Sequence, residues 1–177
     1  MEFSSHIETL TYETKRRLEF RTITKDIEAV VARAGIREGT VTIQTLHTTC
    51  RVWVNEDEKN LVGSDDLEYT PDLHGILDRF APTEAEWNHN DIRDARNPNG
   101  RRDTHLCEPN PDGTIPECIN GQAHAQALIL QHAVTMIIEN GSLAKGRWQE
   151  ILLIELDHDR TREVKVLVQG VRVQSDS

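Results

Sequence analysis

The sequence predicts a single α+β domain over residues 1–177, built on antiparallel β-sheet with a few helices. Three observations predict it. Stretches with apolar residues at every second position recur along the chain, as half-buried strands require. Three other segments carry their apolar residues at helical spacing. Neighbouring strand-like segments look joined by hairpins and do not alternate regularly with helices, which disfavours a doubly wound parallel sheet. With 177 residues, 37% of them hydrophobic and 28% charged, the chain can bury one core without staples.

The elements follow in order. Residues 6–21 read as a strand, a turn near Lys15 and a second strand. Residues 24–34 read as a helix: Thr24 can cap it, Asp26 lies in its first turn, Ile27, Val30, Val31 and Ala34 share a face, and Gly35 stops it. Val41 and Ile43 mark a strand over residues 40–46, and Val52 and Val54 another over 51–54. Between them the apolar period slips at His47-Thr48-Thr49. Thr70-Pro71-Asp72 signals a helix start, followed by a stripe of Leu73, Ile76, Leu77 and Phe80 that ends at Pro82. Turn formers dominate residues 94–119, which form a long loop insertion. Asn120 can cap a helix from Gly121 to about Gln131. A strand over 133–138, a turn at Asn140-Gly141, a strand from Trp148 to Leu156 and a last strand around Val164, Val166 and Val168 complete the chain.

Composition excludes some functions. The formal charge is −10, so the basic footprint of a nucleic-acid binder is absent. No apolar run is long enough to span a bilayer, and residues 1–15 carry no signal-peptide core. Cytoplasmic placement is the expectation. Cys50, Cys107 and Cys118 are too few and too irregular for a disulfide framework. His105, Cys107 and Cys118 could hold a structural zinc, or the two thiols could oxidise, but no fourth ligand is evident and free thiols are the expectation.

Three segments resemble the YjbQ family, also described as secondary thiamine-phosphate synthases. The first is His47-Thr48-Thr49 with Asn55-Glu56 and then Asp66-Leu67. The second is Asn120-Gly121-Gln122-Ala123-His124. The third runs Gly141-Ser142-Leu143, Gly146-Arg147-Trp148-Gln149, Glu155-Leu156-Asp157 and Arg160. Trp87-Asn88-His89-Asn90-Asp91 is similar to a further family motif. Two features depart from the family pattern: residues 92–119 replace a short connection, and His158 stands where a glycine is usual.

The resemblance implies an antiparallel α+β fold and a homotrimer with sites near subunit boundaries. It implies a synthase that joins a pyrimidine diphosphate to a thiazole phosphate and releases diphosphate. It also brings His47, His89 and His124 together. Neutral imidazoles bind zinc and similar metals, and three protein ligands leave an open position for water or substrate, so a divalent metal, zinc or magnesium, is the expected cofactor. Glu56 and Asp66 could supply a carboxylate ligand, orient a ligand imidazole or act as base, and the candidate catalytic set is His47, Glu56, Asp66 and His124. Thr48, Thr49, Asn120 and Arg160 are the candidates for binding the substrate phosphate, with the amides at the start of the His124 helix as a further anion site. Lys145 and Arg162 read as surface charge, and Trp148 as a core-packing strand residue. The expected function is an enzyme of phosphorylated small molecules with a His-rich, metal-assisted site. A metal-dependent hydrolase and a non-enzymatic trimeric ligand-binding protein are the alternatives. The 94–119 loop, with its ends near the site, is a candidate lid.

Overall fold

The computed structural model describes residues 2–65, 67–90, 111 and 118–172. Within them the protein is an antiparallel α+β fold of two sheets and four α-helices. The strands are β1 (Glu2–Glu13), β2 (Glu19–Thr22), β3 (Glu38–Thr45), β4 (Cys50–Asn55), β5 (Ala133–Glu139), β6 (Ser142–Leu143), β7 (Glu150–Glu155) and β8 (Thr161–Arg172). The helices are α1 (Thr24–Ala34), α2 (Lys59–Val62), α3 (Asp72–Phe80) and α4 (Gly121–Gln126).

One sheet has the order β1-β8-β3-β5-β6, the other β2-β7-β4. Among consecutive strands, only β5 and β6 pair as a hairpin within the described residues. The others step from one sheet to the other, so the expectation of general hairpin linkage is corrected. Alternation shows that a strand has a buried face. It does not show which strand lies beside it.

The first core lies between the sheets. Val41 and Ile43 of β3 and Val164, Val166 and Val168 of β8 meet Ile151 and Leu153 of β7, Val52 of β4, and Ile27, Val30 and Val31 of α1. β7 is buried on both faces. Its Leu152 and Ile154 turn the other way, onto a second core with Leu77 of α3 and Ala123 and Ala127 at the α4 end. This explains why the segment reads as a continuous apolar run.

Several details differ from the sequence expectation. α1 has the expected bounds, but its Thr24 hydroxyl accepts the Ile151 N–H at 2.8 Å and makes no helix cap. In α3 only Leu77 is buried; Ile76 and Phe80 are 46% and 47% exposed. α4 is short and passes into a 3₁₀ turn over Ala127–Ile129. Trp148 precedes β7, is 63% exposed and stacks under Arg147, so it is not a core residue. Asn140 and Gly141 both have positive φ, as a tight two-residue turn between β5 and β6 requires.

Cys118 is disulfide-bonded, which corrects the expectation of a free thiol. His105, Cys107 and most of the 94–119 loop, with its expected lid role, lie outside the described residues. No helix among the described residues is long and apolar enough to cross a membrane.

Candidate functional site

The sheet-to-sheet crossings build the site. β3 leaves the larger sheet after Thr45 and β4 starts in the smaller one at Cys50, so residues 46–49 bridge the two at one end of the molecule. Residues 156–160 make the return crossing from β7 to β8. The pairings Cys50↔Glu155 and Thr45↔Val164 put both crossings at the same end. The slipped period at His47-Thr48-Thr49 is thus the signature of a strand changing sheets.

These crossings and the start of α4 enclose a cavity of about 410 Å³. His47, Thr48, Thr49, Asn120 and Arg160 line it, all singled out from sequence, together with Asp157 and Arg162. A second cavity of about 530 Å³ shares His47 and Thr48 and adds His124 and His132.

Two carboxylates organise the walls. Glu155 is fully buried and takes two bonds from Arg162, whose Nη2 reaches Oε1 at 2.6 Å. Arg162 Nη2 also donates to Thr49 Oγ1 at 3.2 Å. Arg162 is 4% exposed, so its reading as surface charge is corrected. A signal was available: it is in phase with Val164, Val166 and Val168, the inward side of β8. Asp157 Oδ2 accepts from Arg160 Nη2 and from Asn120 Nδ2, each at 2.9 Å.

Asn120 occupies the N-cap position of α4, yet its side chain makes no cap bond. With Nδ2 donating to Asp157, its Oδ1 faces His89 Nε2 at 3.2 Å. His89 lies edge-on to His124, with ring centroids 4.6 Å apart. Gly121 permits this approach: a Cβ there would sit 2.6 Å from Trp87 Cβ, and its N–H donates to Asn90 Oδ1 at 2.8 Å. The first-turn amides of Ala123 and His124 go to the Asn120 carbonyl. The expected anion site on the helix amides is therefore largely occupied by the protein itself.

His47 Nε2 accepts the backbone N–H of Glu163 at 2.8 Å. Burial, and then the Arg162 guanidinium, holds its pKa below the ordinary imidazole value, so the ring is neutral. This geometry does not fit a ligand set of His47, His89 and His124, because the nitrogen of His47 that carries a lone pair is already engaged. Among the described residues no three His, Cys, Asp or Glu side chains group as a metal site.

Glu56 is not brought to these cavities within the chain. It follows Asn55, which pairs with Glu150 at the far end of β7, about 17 Å of strand from Cys50. Asp66 lies outside the described residues. Lys145 pairs with Glu150 at 3.3 Å, also away from the cavities. Cys50 is buried beside the site. Burial, with Glu155 nearby, pushes its thiol up to about 11, which leaves no thiolate for nucleophilic chemistry.

The comparisons with known proteins agree with this architecture. The family model described as UPF0047 protein YjbQ-like matches residues 8–171. A UPF0047 protein of Archaeoglobus fulgidus is 31% identical over 157 residues, covering 89% of this chain and 96% of that protein. One from Methanothermobacter thermautotrophicus is 27% identical, covering 93% of this chain and 92% of that protein. The crystal structure of a protein of unknown function from Sulfolobus solfataricus superposes with a TM-score of 0.75 at 24% identity, covering 96% of this chain and 100% of that one. A hypothetical protein from Aeropyrum pernix superposes with a TM-score of 0.72 at 25% identity, covering 94% and 99%. Matched from residue 8 to residue 171, the chain belongs to the YjbQ-like UPF0047 family.

Proposed function

We propose that the protein is an enzyme of phosphorylated small molecules that receives the phosphoryl or diphosphoryl group in the cavity bounded by residues 47–49, Asn120 and Arg160. One observation carries the reading: residues far apart in sequence, His47, Thr48, Asn120 and Arg160, converge on a cavity of about 410 Å³. Arg160 and Thr48 supply donors of the kind phosphate oxygens accept. Because Asp157 neutralises Arg160, the pocket selects by directed donors more than by net positive charge.

The resemblance to the YjbQ family implies a specific reaction, that of a thiamine-phosphate synthase. The C–O bond to diphosphate breaks, the new C–N bond forms to the thiazole ring, and diphosphate leaves with the electron pair. Donors aimed at the departing oxygens would stabilise the charge that builds there. No step of this reading passes through a metal.

The test is to supply a pyrimidine diphosphate and a thiazole phosphate and to measure thiamine phosphate and released diphosphate. Wild type should form both. Arg160→Gln and Thr48→Val should each lower turnover by about tenfold or more, the effect of losing one donor to a charged group. Hydrolysis of the diphosphate without C–N bond formation would favour a hydrolase. Tight binding of inorganic diphosphate with no turnover would leave a ligand-binding protein.

A further inference from the structure

We infer that His47 is fixed as a neutral hydrogen-bond donor that presents its Nδ1–H to the cavity, and that it is neither a metal ligand nor a general base. The identity of the acceptor, an oxyanion of the phosphorylated ligand, rests on the function proposed above. The donor assignment itself does not.

The argument begins with the end of a β-ladder. β3 and β8 pair in register up to Thr45↔Val164. One residue further, the Leu46 N–H still reaches the Glu163 carbonyl at 3.2 Å. The return bond from the Glu163 N–H runs to an imidazole, His47 Nε2, at 2.8 Å. The side chain therefore stands in for a backbone acceptor at the point where β3 leaves the sheet.

A backbone N–H can only donate, so Nε2 must offer its lone pair. In a neutral imidazole the one proton then sits on Nδ1. The backbone beneath the ring is also held. His47 N–H donates to Thr45 Oγ1 at 3.3 Å, and Arg51 Nη1 donates to the His47 carbonyl at 3.2 Å. Nδ1 has no protein partner among the described residues, and His47 lines both cavities.

The alternatives each break something. A metal at Nε2 would displace the Glu163 amide and leave a strand N–H unpaired. A metal at Nδ1 would need the ring proton moved to Nε2, where it would point at another N–H. A general base needs a lone pair facing the substrate, and here the lone pair faces the strand. A neutral imidazole N–H is instead suited to stabilise developing negative charge, in concert with Thr48 and Arg160.

The direct test is the tautomer. In the full chain with ¹⁵N-labelled histidine, long-range ¹H–¹⁵N spectra above neutral pH should show His47 with Nδ1 protonated and Nε2 bare, the signals being assigned by their loss in His47→Gln. Added Zn²⁺ should leave both His47 nitrogens unmoved. An Nε2–H tautomer, or a Zn²⁺-induced change at His47, overturns the assignment whether or not the protein binds phosphate.

Two variants then separate the ring's roles. His47→Gln places an acceptor near the Nε2 position but removes the cavity donor. His47→Asn keeps an N–H at the Nδ1 position but gives up the strand bond. Binding of inorganic diphosphate should weaken about tenfold or more in His47→Gln and stay within about threefold in His47→Asn, with the lower unfolding temperature in His47→Asn. The reverse order of binding overturns the donor role. Failure of wild type to bind diphosphate removes the oxyanion as acceptor and the proposed function with it, while the tautomer measurement still decides the donor.

Discussion

Glu155 and Arg162 close the core between the two sheets. Glu155 ends the face of β7 that carries Ile151 and Leu153, and Arg162 starts the inward face of β8. Their side chains are 0% and 4% exposed, and Thr14, Thr49 and the Asp157 amide complete the network. Removing one member of a buried pair leaves the other charge unpaired, at a cost of about 3–5 kcal/mol. Glu155→Gln should lower the unfolding free energy by about that amount in urea titrations. A loss under about 1 kcal/mol would mean the pair behaves like an exposed one. His74 gives a pH-dependent counterpart. Its Nε2–H donates to the Val62 carbonyl at 2.9 Å, and burial holds its pKa below the ordinary 6.5. As pH falls, the unfolded chain takes up this proton before the folded one does. The stability His74 contributes is thus complete above about 6.5 and declines as pH falls below it. The midpoint of denaturation should drop as pH falls below about 6.5, and His74→Gln should reduce that drop. Single residues were unevenly legible. His47, Thr48, Thr49 and Arg160 could be found as motif residues. Asn120 could be found as a motif residue and a cap-type residue, but its bond to Asp157 could not, because that bond spans 37 positions of sequence.

At the scale of elements, the strands and α1 were legible because burial imposes a period on sequence, whereas partners were not. β1 and β8 pair along their whole lengths, from Glu2↔Arg172 to Glu13↔Thr161, across nearly the entire chain. No local pattern encodes a partner at that distance. The same limit hid the common end shared by the 46–49 and 156–160 crossings, and so hid why Glu56 falls at the opposite end of β4. One contact between strands is nevertheless written in the sequence as glycine. Gly39 of β3 faces Gly170 of β8. A Cβ on Gly39 would lie 2.1 Å from the Gln169 carbonyl oxygen, and one on Gly170 would lie 2.2 Å from that of Glu38. Both obstacles are backbone atoms, which cannot rotate away. Gly39→Ala should therefore open the ladder locally and cost about 1–3 kcal/mol in denaturant titrations. The cavity residues are at the other end of β3, so ligand binding by the folded variant should be unchanged.

For the whole molecule, the outer face of the five-stranded sheet bears on assembly. Its inner face meets the core, while outward stand rows such as Ile7, Leu167, Thr42 and Thr135, with Ile137 of β5 beside them. Ile7 and Ile137 are 65% and 62% exposed. Lys165 is the charged residue among these central rows, in a chain whose net charge is −10. Charge depletion over these central rows is what the core of a protein–protein contact requires, with Glu13, Glu38, Glu139 and Glu163 standing at the margins of the face. The homotrimer implied by the resemblance is therefore proposed to form through this face. The cavity holding His47 and His124 is also lined by Gln44, an outward residue of β3, so a neighbouring copy seated there would lie beside that cavity. Light scattering should give three times the monomer mass for wild type. Ile137→Glu would bury a carboxylate in the contact without touching the core, and it should shift the mass toward the monomer while circular dichroism stays unchanged. If assembly also completes the site, that variant should bind inorganic diphosphate more weakly although residue 137 is not among those lining the cavity that contains His47 and Arg160. A wild-type monomer at micromolar concentration would end the trimer reading. A stable trimer that survives Ile137→Glu would place the contact on another surface.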